Sequence, residues 1–250
     1  MKQHSLCGLA VAALVLGASM TIAQENRISI WQEPFDGFGL SQDWSVERAN
    51  PDEFVVEEGE LLILSSTDNR FQNAEGRNVF IRNEELPSGD LDIVLKGRVE
   101  FQTGADALQF GLFKSPESNL YATLSTSTWS SCGQVTFSLS KTSGGETTTF
   151  DTRVLRACDG EFSMYRDDLL GALSNEGFEM TIQRRGRSYS GHLTIPEMTN
   201  EDGSATEWST NKLTSLRSPG TPGLTLSKYD NDRNGELLAF IESVELFTVE

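Results

Sequence analysis

The chain has 250 residues, and its 37 acidic and 20 basic side chains give a formal net charge of −17. Nucleic acids and anionic lipids both attract a surplus of Lys and Arg, so this charge argues against both kinds of partner. Only two cysteines lie beyond residue 23 and the chain has two histidines in all, so a Cys/His zinc site is essentially excluded as well.

The first 23 residues have the features of a signal peptide. Lys2 precedes the apolar run LCGLAVAALVLGA, and Thr21 and Ala23 suit the −3 and −1 positions of a cleavage site. The run is too short to span a bilayer by itself, although an uncleaved anchor is the alternative. We therefore expect residues 1–23 to be removed and residues 24–250 to form one domain. That domain is expected to be secreted or periplasmic, without membrane insertion.

From Arg27 onward, apolar and polar residues alternate over short stretches, which is typical of strands with one buried face. In chain order the predicted strands are FVVEE, ELLILSS, NVFIR, DLDIVLKGRVEF, ALQFGLFK, NLYATLSTST, GQVTFSLSK, ETTTFDTRVL, FEMTIQRRG, SYSGHLTI, PGLTLSK and ELLAFIESVELFTV. Only DDLLGALSN resembles a helix. Short strands separated by Gly, Asn, Asp and Ser predict an all-β fold, a two-sheet antiparallel β-sandwich or jelly roll.

Two cysteines remain once the signal peptide is removed, Cys132 and Cys158. An even number of cysteines in an exported chain predicts that they form a disulfide. In the chain-entropy model, a bridge that closes a loop of this size stabilises the fold by roughly 3–4 kcal/mol.

The segment NLYATLSTSTW carries an unusual strand face. Alternation places Leu120, Ala122 and Leu124 in the core and puts an aromatic residue near each end of the opposite, polar face. Sugars are recognised by aromatic rings surrounded by polar groups. We therefore predict a carbohydrate-binding surface with Tyr121, Trp129, Gln109, Arg98 and Gln183, to which Thr123, Ser125, Ser127 and Thr136 could contribute. The structural alternative is that Trp129 packs beside the disulfide and Tyr121 caps a sheet edge.

The segment YDNDRNGE raises the question of a metal ion. Asp230, Asp232 and Asn234, followed by Gly235, match the first half of a calcium-binding loop. The same residues suit a hairpin or a loop that connects two strands. Ile241 occupies the twelfth position, where a calcium loop needs a bidentate Glu. A turn is therefore the first interpretation, and a Ca²⁺ site is the alternative.

Several short motifs occur in a recognisable order. They are Phe35-Asp36, Trp44, GELLIL, ALQFGLF, Arg184-x-Gly186-x-x-Tyr189, EDGSATEW, PGLTL and AFIESVEL. Together they resemble the concanavalin A-like lectin/glucanase domains, in particular the jelly-roll modules at the C-terminus of β-xylosidases and in related secreted proteins of unknown function. The resemblance spans nearly the whole mature chain. It implies a concanavalin A-like sandwich and, because calcium is common in such domains, Asp36 or Glu242 as further ligands.

Candidate catalytic groups are few. A strand-borne E-x-D-x-x-E of glycoside hydrolases has its nearest match at Asp90-Leu91-Asp92, where Leu95 replaces the third acid. His192 and Tyr189, the pair that a lyase would need, lie three residues apart and so point to opposite strand faces.

The sequence thus favours a secreted, non-catalytic, lectin-like module that binds carbohydrate or assists glycan handling. Two alternatives remain. One is a glycoside hydrolase-like or lyase-like enzyme with unidentified acids, and the other is an extracellular structural or adhesive module.

Overall fold

The alternating segments form two antiparallel sheets that pack face to face. The computed structural model describes residues 26–101, 105–129, 132–156, 164–199, 203–216, 219–228 and 236–250. The prediction of an all-β sandwich is confirmed. No helix within these ranges is both long and apolar enough to cross a membrane.

In the described ranges, one sheet has nine strands and the other has seven. The nine-stranded sheet contains β1 (Arg27–Glu33), β3 (Phe54–Glu57), β4 (Glu60–Ser65), β6 (Leu91–Glu100), β11 (Phe178–Arg185), β12 (Ser188–Thr199), β13 (Ala205–Ser209), β14 (Leu213–Thr214) and β16 (Leu237–Val249). The seven-stranded sheet contains β2 (Trp44–Glu47), β5 (Val79–Arg82), β7 (Asp106–Ser115), β8 (Ser118–Trp129), β9 (Cys132–Ser143), β10 (Glu146–Arg156) and β15 (Thr221–Lys228). A short 3₁₀-helix covers Pro51–Glu53.

The seven strands run in the order β10-β9-β8-β7-β15-β5-β2, so β8 and β7 lie at the middle of their sheet. The main path of the other sheet is β13-β12-β11-β6-β16-β4-β3. The core lies between the sheets and is built from alternate residues of each strand. Leu120, Ala122 and Leu124 of β8 are fully buried there, as predicted, and so are Leu91 and Ile93 of β6. Each such side chain stabilises the fold by about 1.5–3 kcal/mol when it is fully buried.

One end of the sandwich is closed by α1 (Met164–Asn175), the helix expected from DDLLGALSN. Its Leu169, Ala172 and Leu173 are buried in the core. The helix ends at Asn175 and is followed by Gly177, whose N–H donates to the carbonyl of Ala172 at 2.9 Å. Gly177 has a φ of +83°, and a Cβ on it would lie 2.5 Å from the Gly97 carbonyl, so only glycine fits. The opposite end carries the β7–β8, β9–β10 and β11–β12 hairpins.

The strands that flank YDNDRNGE do not form a hairpin. β15 ends at Lys228 in the seven-stranded sheet, and β16 begins at Leu237 in the nine-stranded sheet. Of the two forms expected for this segment, a hairpin or a loop that connects two strands, the flanking strands exclude the hairpin and agree with the connecting loop. Asp230, Asp232 and Asn234 lie outside the described residues, as do Cys158 and the side chain of Cys132, so the predicted metal site and disulfide stay predictions.

Candidate functional site

A polar groove lies on the outer face of the seven-stranded sheet, with a volume of about 330 Å³. Its floor is formed by alternate residues of β7, β8, β9 and β10 that point away from the core, and residues 66–78, between β4 and β5, supply one wall. We refer to residues 66–78 as the covering loop. The polar lining residues are Arg70, Gln72, Gln109, Tyr121, Thr123, Ser125, Thr126, Ser138, Ser140, Thr147 and Thr149.

The covering loop is fastened to the sheet by a small apolar cluster outside the main core. Phe71 is 1% exposed and lies against two aromatic side chains of the sheet. The ring centroid of Phe71 is 5.2 Å from that of Phe113 and 5.5 Å from that of Tyr121, which it meets edge-on. Val79 and Ile81 of β5 complete the cluster. Aromatic pairs in this geometry add about 0.5–1.5 kcal/mol beyond the area they bury.

Buried hydrogen bonds hold the loop backbone in place. The Gln109 side-chain carbonyl accepts from the N–H of Phe71 at 2.7 Å. The Thr225 hydroxyl donates to the carbonyl of Asn69 at 2.9 Å, and the N–H of Asn69 donates to the Ser227 hydroxyl at 3.1 Å. Because buried backbone groups need partners, these outward-facing side chains of β7 and β15 determine where the loop lies.

An ion pair fixes Arg70 at the mouth of the groove. Its Nε and Nη2 donate to the two carboxylate oxygens of Asp68 at 2.8 and 2.6 Å. Burial alone would raise the pKa of the Asp68 carboxyl, but the hydrogen bonds and charge of Arg70, with a hydrogen bond from Ser227, outweigh burial and lower that pKa. Asp68 therefore stays ionised and keeps Arg70 oriented.

Hydroxyl groups pair across the floor of the groove and beside it. Ser125 and Thr136 lie 3.0 Å apart, as do Ser140 and Thr149. A hydroxyl has one donor and two acceptor positions, so each member of a pair keeps capacity for a further hydrogen bond. The floor is thus an ordered array of groups that can both donate and accept.

Tyr121 lies where alternation placed it, on the outward face with Thr123 and Ser125. Its ring, however, is only 2% exposed because the covering loop packs over it. It therefore offers the groove its hydroxyl, which donates to the Gln72 side-chain carbonyl at 3.2 Å, and no open ring face. Burial raises the pKa of this hydroxyl, so it remains a donor at neutral pH.

The other predicted binding residues do not all lie in the groove with Tyr121. Gln109 lines the groove, but its carbonyl is occupied by the covering loop. The strand position of Trp129 is described, at the end of β8, but its side chain is not. Arg98 and Gln183 belong to β6 and β11 of the nine-stranded sheet, so the expectation that they share a surface with Tyr121 is wrong.

Arg98 lies on the outer face of the nine-stranded sheet, where it contacts other side chains. Its guanidinium contacts Glu60 at 2.5 Å and lies 4.8 Å above the ring of Phe240. Gln183 lies directly opposite Asp92 on the same sheet. Sequence alternation assigns a side chain to one face of its strand, but it does not say which strands are neighbours.

The candidate catalytic groups lie away from the groove. Asp92 is fully buried between Arg27 and Arg185, at 2.7 Å from each, and Asp90 accepts a hydrogen bond from the N–H of Gly186. Tyr189 is in the core, whereas His192 is on the outer side of the nine-stranded sheet, hydrogen-bonded to Ser190 and Ser209. Burial lowers the pKa of His192, against the opposing charges of Asp92 and Glu207.

Metal-binding side chains are not clustered in the part of the chain that the structure describes: no group of three or more His, Cys, Asp or Glu residues there is placed to hold an ion. Of the further calcium ligands expected from the resemblance, Glu242 lies 3.9 Å from Arg98.

Several lining residues were missed by the sequence reasoning, among them Arg70, Gln72, Ser138, Thr147 and Thr149. The three strand residues had a usable signal, because hydroxyls occupy every second position in FSLSK and three consecutive positions in TTTF, so each strand presents hydroxyls on one face. The two loop residues had none, since the covering loop is an ordinary polar segment with a single Phe.

The fold is similar to that of three proteins of known structure. The GH43 protein BlXynB from Bacillus licheniformis matches with a TM-score of 0.60 at 9% identity, over 87% of this chain and 39% of that one. The CBM2 module of the evolved Dit of Lactobacillus casei BL23 phage J-1 matches at 0.56 and 11% identity, over 90% and 97% of the two chains. The catalytic domain of an endo-1,3-beta-glucanase (laminarinase) from Thermotoga petrophila RKU-1 matches at 0.53 and 10% identity, over 90% and 99%.

Comparisons with family models and with curated proteins give no match. The chain spans about two fifths of the length of the GH43 protein, which places the similarity within one part of that larger chain. At sequence identities of 9–11%, the similarity between this chain and the three proteins concerns the fold only. With its two packed antiparallel sheets, the chain has the concanavalin A-like jelly-roll fold.

Proposed function

We propose that the protein is an exported, lectin-like module that binds a carbohydrate in the groove on the outer face of the seven-stranded sheet. The observation that carries the proposal is the lining of that groove, in which hydroxyl, amide and guanidinium groups surround a cavity of about 330 Å³. Such a volume is at the lower end of the range for small-molecule sites.

The chemistry of the lining suits a sugar. Sugar hydroxyls donate and accept hydrogen bonds at once, and the floor serines and threonines do the same. The Asp68–Arg70 pair and the buried Phe71 cluster hold the wall in place before a ligand arrives, which lowers the entropic cost of binding. Hydrolysis of a glycosidic bond, by contrast, uses two carboxylates that flank the bond. The names of the structural neighbours, a GH43 protein, a CBM2 module and a laminarinase, support a role with carbohydrate.

The test begins with the mature protein on a glycan array, with and without a calcium chelator, and continues by calorimetry on the glycans that bind. Ser138→Phe places a ring in the half-buried floor of the groove. It is expected to weaken binding about tenfold or more, a loss of at least 1.4 kcal/mol. Tyr121→Phe keeps the buried ring and removes the hydroxyl, so a smaller loss is expected.

The matched control is Ser29→Phe, which adds the same ring at an exposed position of β1 in the other sheet. It should leave affinity unchanged. If Ser138→Phe retained wild-type affinity for the same glycans, or if the array showed no binding at all, the proposal would be wrong. A loss of binding caused by chelator alone would indicate that calcium takes part.

A further inference from the structure

Cations without carboxylate partners gather at one end of this acidic molecule. Among the described residues, most arginines form ion pairs with Asp or Glu, but Lys114, Lys141, Arg187 and Lys212 have no such partner within 4.0 Å, and the first three line clefts at one end. Arg184 donates to two backbone carbonyls, those of Gly89 and Pro87. In a chain with 37 acidic and 20 basic residues, four cations in one area without a carboxylate partner require an explanation.

These four side chains line two adjoining clefts at the hairpin end of the sandwich. The larger cleft has a volume of about 670 Å³ and includes Lys114 and Lys141. The smaller has about 250 Å³ and includes Arg184 and Arg187. Both are lined by Ser215 and Leu216, so they adjoin, and we call them together the end cleft.

Strand alternation explains why Lys141 points into this space, because it follows the fully buried Leu139 on the inward side of β9. Lys114 lies at a β-bulge between Phe113 and Ser115, where alternation is interrupted, and it lines the larger cleft at the end of β7. The core-facing side of β7 ends just before it, at the fully buried Leu112. Both lysines thus lie at the hairpin ends of their strands.

The opposite wall is made by the nine-stranded sheet. The β11–β12 hairpin carries Arg184 and Arg187, and the segment after β14 runs beside it. The N–H of Ser215 donates to the carbonyl of Arg187 at 2.9 Å, which ties that segment to the hairpin. The cations of the end cleft therefore come from both sheets and are held on connected secondary structure.

The remaining lining favours an anion that also carries hydroxyl groups. Hydroxyls are supplied by Ser115, Ser118, Ser143, Thr214 and Ser215. Within the described ranges, Glu117 is the single carboxylate that lines either cleft. Two further carboxylates lie beside the clefts: Asp90 accepts from the N–H of Gly186, and Glu146 lines a neighbouring pocket together with Lys141. The four cations still outnumber these three carboxylates, and charges more than about 8 Å away are largely screened at physiological ionic strength.

We infer that the end cleft is a second ligand site, one that binds the carboxylate or sulfate groups of an acidic oligosaccharide. Lysine ammonium and arginine guanidinium groups make charge-assisted hydrogen bonds to such groups, and the serines and threonines bind the sugar hydroxyls. The inference extends the proposed carbohydrate function to a separate place, because the end cleft and the groove share no lining residue. The overall charge of −17 disfavours a nucleic acid, whose phosphates form a long uniform array.

The experiment measures calorimetric affinity for three probes: an oligogalacturonate, a sulfated galactan oligosaccharide and a neutral galactan oligosaccharide of the same length. The oligogalacturonate carries carboxylates and the sulfated galactan carries sulfates, so these two probes show which group the cleft recognises. The wild-type protein is expected to bind at least one charged probe more tightly than the neutral one. Lys114→Gln with Lys141→Gln should weaken that binding roughly tenfold or more, as expected for hydrogen bonds to charged groups. The difference between this variant and wild type should shrink as salt is added.

The matched control is Lys96→Gln with Arg98→Gln, which removes the same two charges from the outer face of the nine-stranded sheet. It should bind the charged probe like wild type, and circular dichroism establishes that both double variants are folded. Absence of binding to both charged probes, or equal affinity of the two double variants, would overturn the inference.

Ser138→Phe separates this inference from the proposed function. If Ser138→Phe still binds the charged probe and the Lys114→Gln, Lys141→Gln double variant does not, the result supports the end cleft. This holds whatever the glycan array shows for the groove. Charged-probe binding that is lost in Ser138→Phe alone would overturn the end cleft and assign the saccharide to the groove.

Discussion

The two outer faces of the sandwich differ in how their polar side chains find partners. On the nine-stranded sheet, charges pair with each other across the strands, as in Lys96 with Glu245 of the adjacent strand at 3.2 Å and Arg98 with Glu60, two strands away, at 2.5 Å. On the seven-stranded sheet, the outward side chains of β8 to β10 are mostly hydroxyls, and a loop is packed over part of them.

The two faces therefore differ in how many hydrogen-bonding groups they leave for a ligand: few on the nine-stranded sheet, the closed face, and many on the seven-stranded sheet, the open face. An Arg–carboxylate pair uses most of the hydrogen-bonding groups of both partners, so little remains for a ligand. A hydroxyl pair leaves acceptor positions free, and the covering loop turns a flat sheet into a groove. The face that can offer hydrogen-bonding groups to a ligand is therefore the one with fewer charges.

The largest effect is expected from the apolar anchor of the covering loop. Phe71→Ala removes a fully buried ring, and we expect it to lower the free energy of unfolding by about 3–5 kcal/mol. Because the loop forms a wall of the groove, glycan binding should be lost as well. Urea denaturation followed by Trp fluorescence measures the first effect, and calorimetry measures the second.

Phe240→Ala is the matched control on the other face. Phe240 is half-buried beneath Arg98, so its truncation should cost clearly less, about 1–2 kcal/mol, and leave binding intact. A Phe71→Ala protein as stable as Phe240→Ala would show that the covering loop is not anchored as described.

The next largest effect concerns the buried carboxylate of the charged face. Asp92 is fully buried with Arg27 and Arg185, and removal of one partner from a buried ion pair leaves the other charge uncompensated. We expect Asp92→Asn to lower the free energy of unfolding by about 3 kcal/mol. Lys96→Gln, which breaks a more exposed pair, should cost less than about 1 kcal/mol. If urea denaturation showed equal losses in the free energy of unfolding for Asp92→Asn and Lys96→Gln, the distinction between the buried and the exposed ion pair would be contradicted.

Much of the fold follows from local patterns. In DLDIVLKGRVEF, alternation predicts that Leu91, Ile93 and Leu95 share the buried face, and all three are fully buried. The same reasoning placed Tyr121 and Thr123 on the outward face of β8. A period of two is a property of a single strand, so it can be read without knowing the partner strands.

The rest of the site depends on contacts between distant parts of the chain. Arg98 and Gln183 were expected beside Tyr121, but β6 and β11 pair in the other sheet, and pairing is not encoded in either strand alone. Tyr121 was expected to offer a ring face, and Phe71, 50 residues earlier in the chain, covers it. Nothing in the polar sequence around Phe71 indicates which surface it will meet.

The smallest expected effect tests whether an ion pair holds the wall of the open face. In the folded protein the pKa of Asp68 lies below its ordinary value of 3.8, so its ionised form stabilises the fold. That stabilisation is complete above the unfolded-state pKa and is lost as the pH falls through the lowered folded-state pKa. Asp68→Asn should therefore be less stable than wild type near neutral pH, and the difference should vanish in acid. The effect is modest because the carboxylate is partly exposed.

Urea denaturation of both proteins from neutral pH into the acid range measures the difference. Glu57→Gln, at an exposed position of β3, controls for the loss of one negative charge. If the difference between wild type and Asp68→Asn did not change with pH, the Asp68–Arg70 pair would not stabilise the covering loop through its charge. The hydrogen bonds of Asn69 and Phe71 to the sheet would then account for the position of the wall.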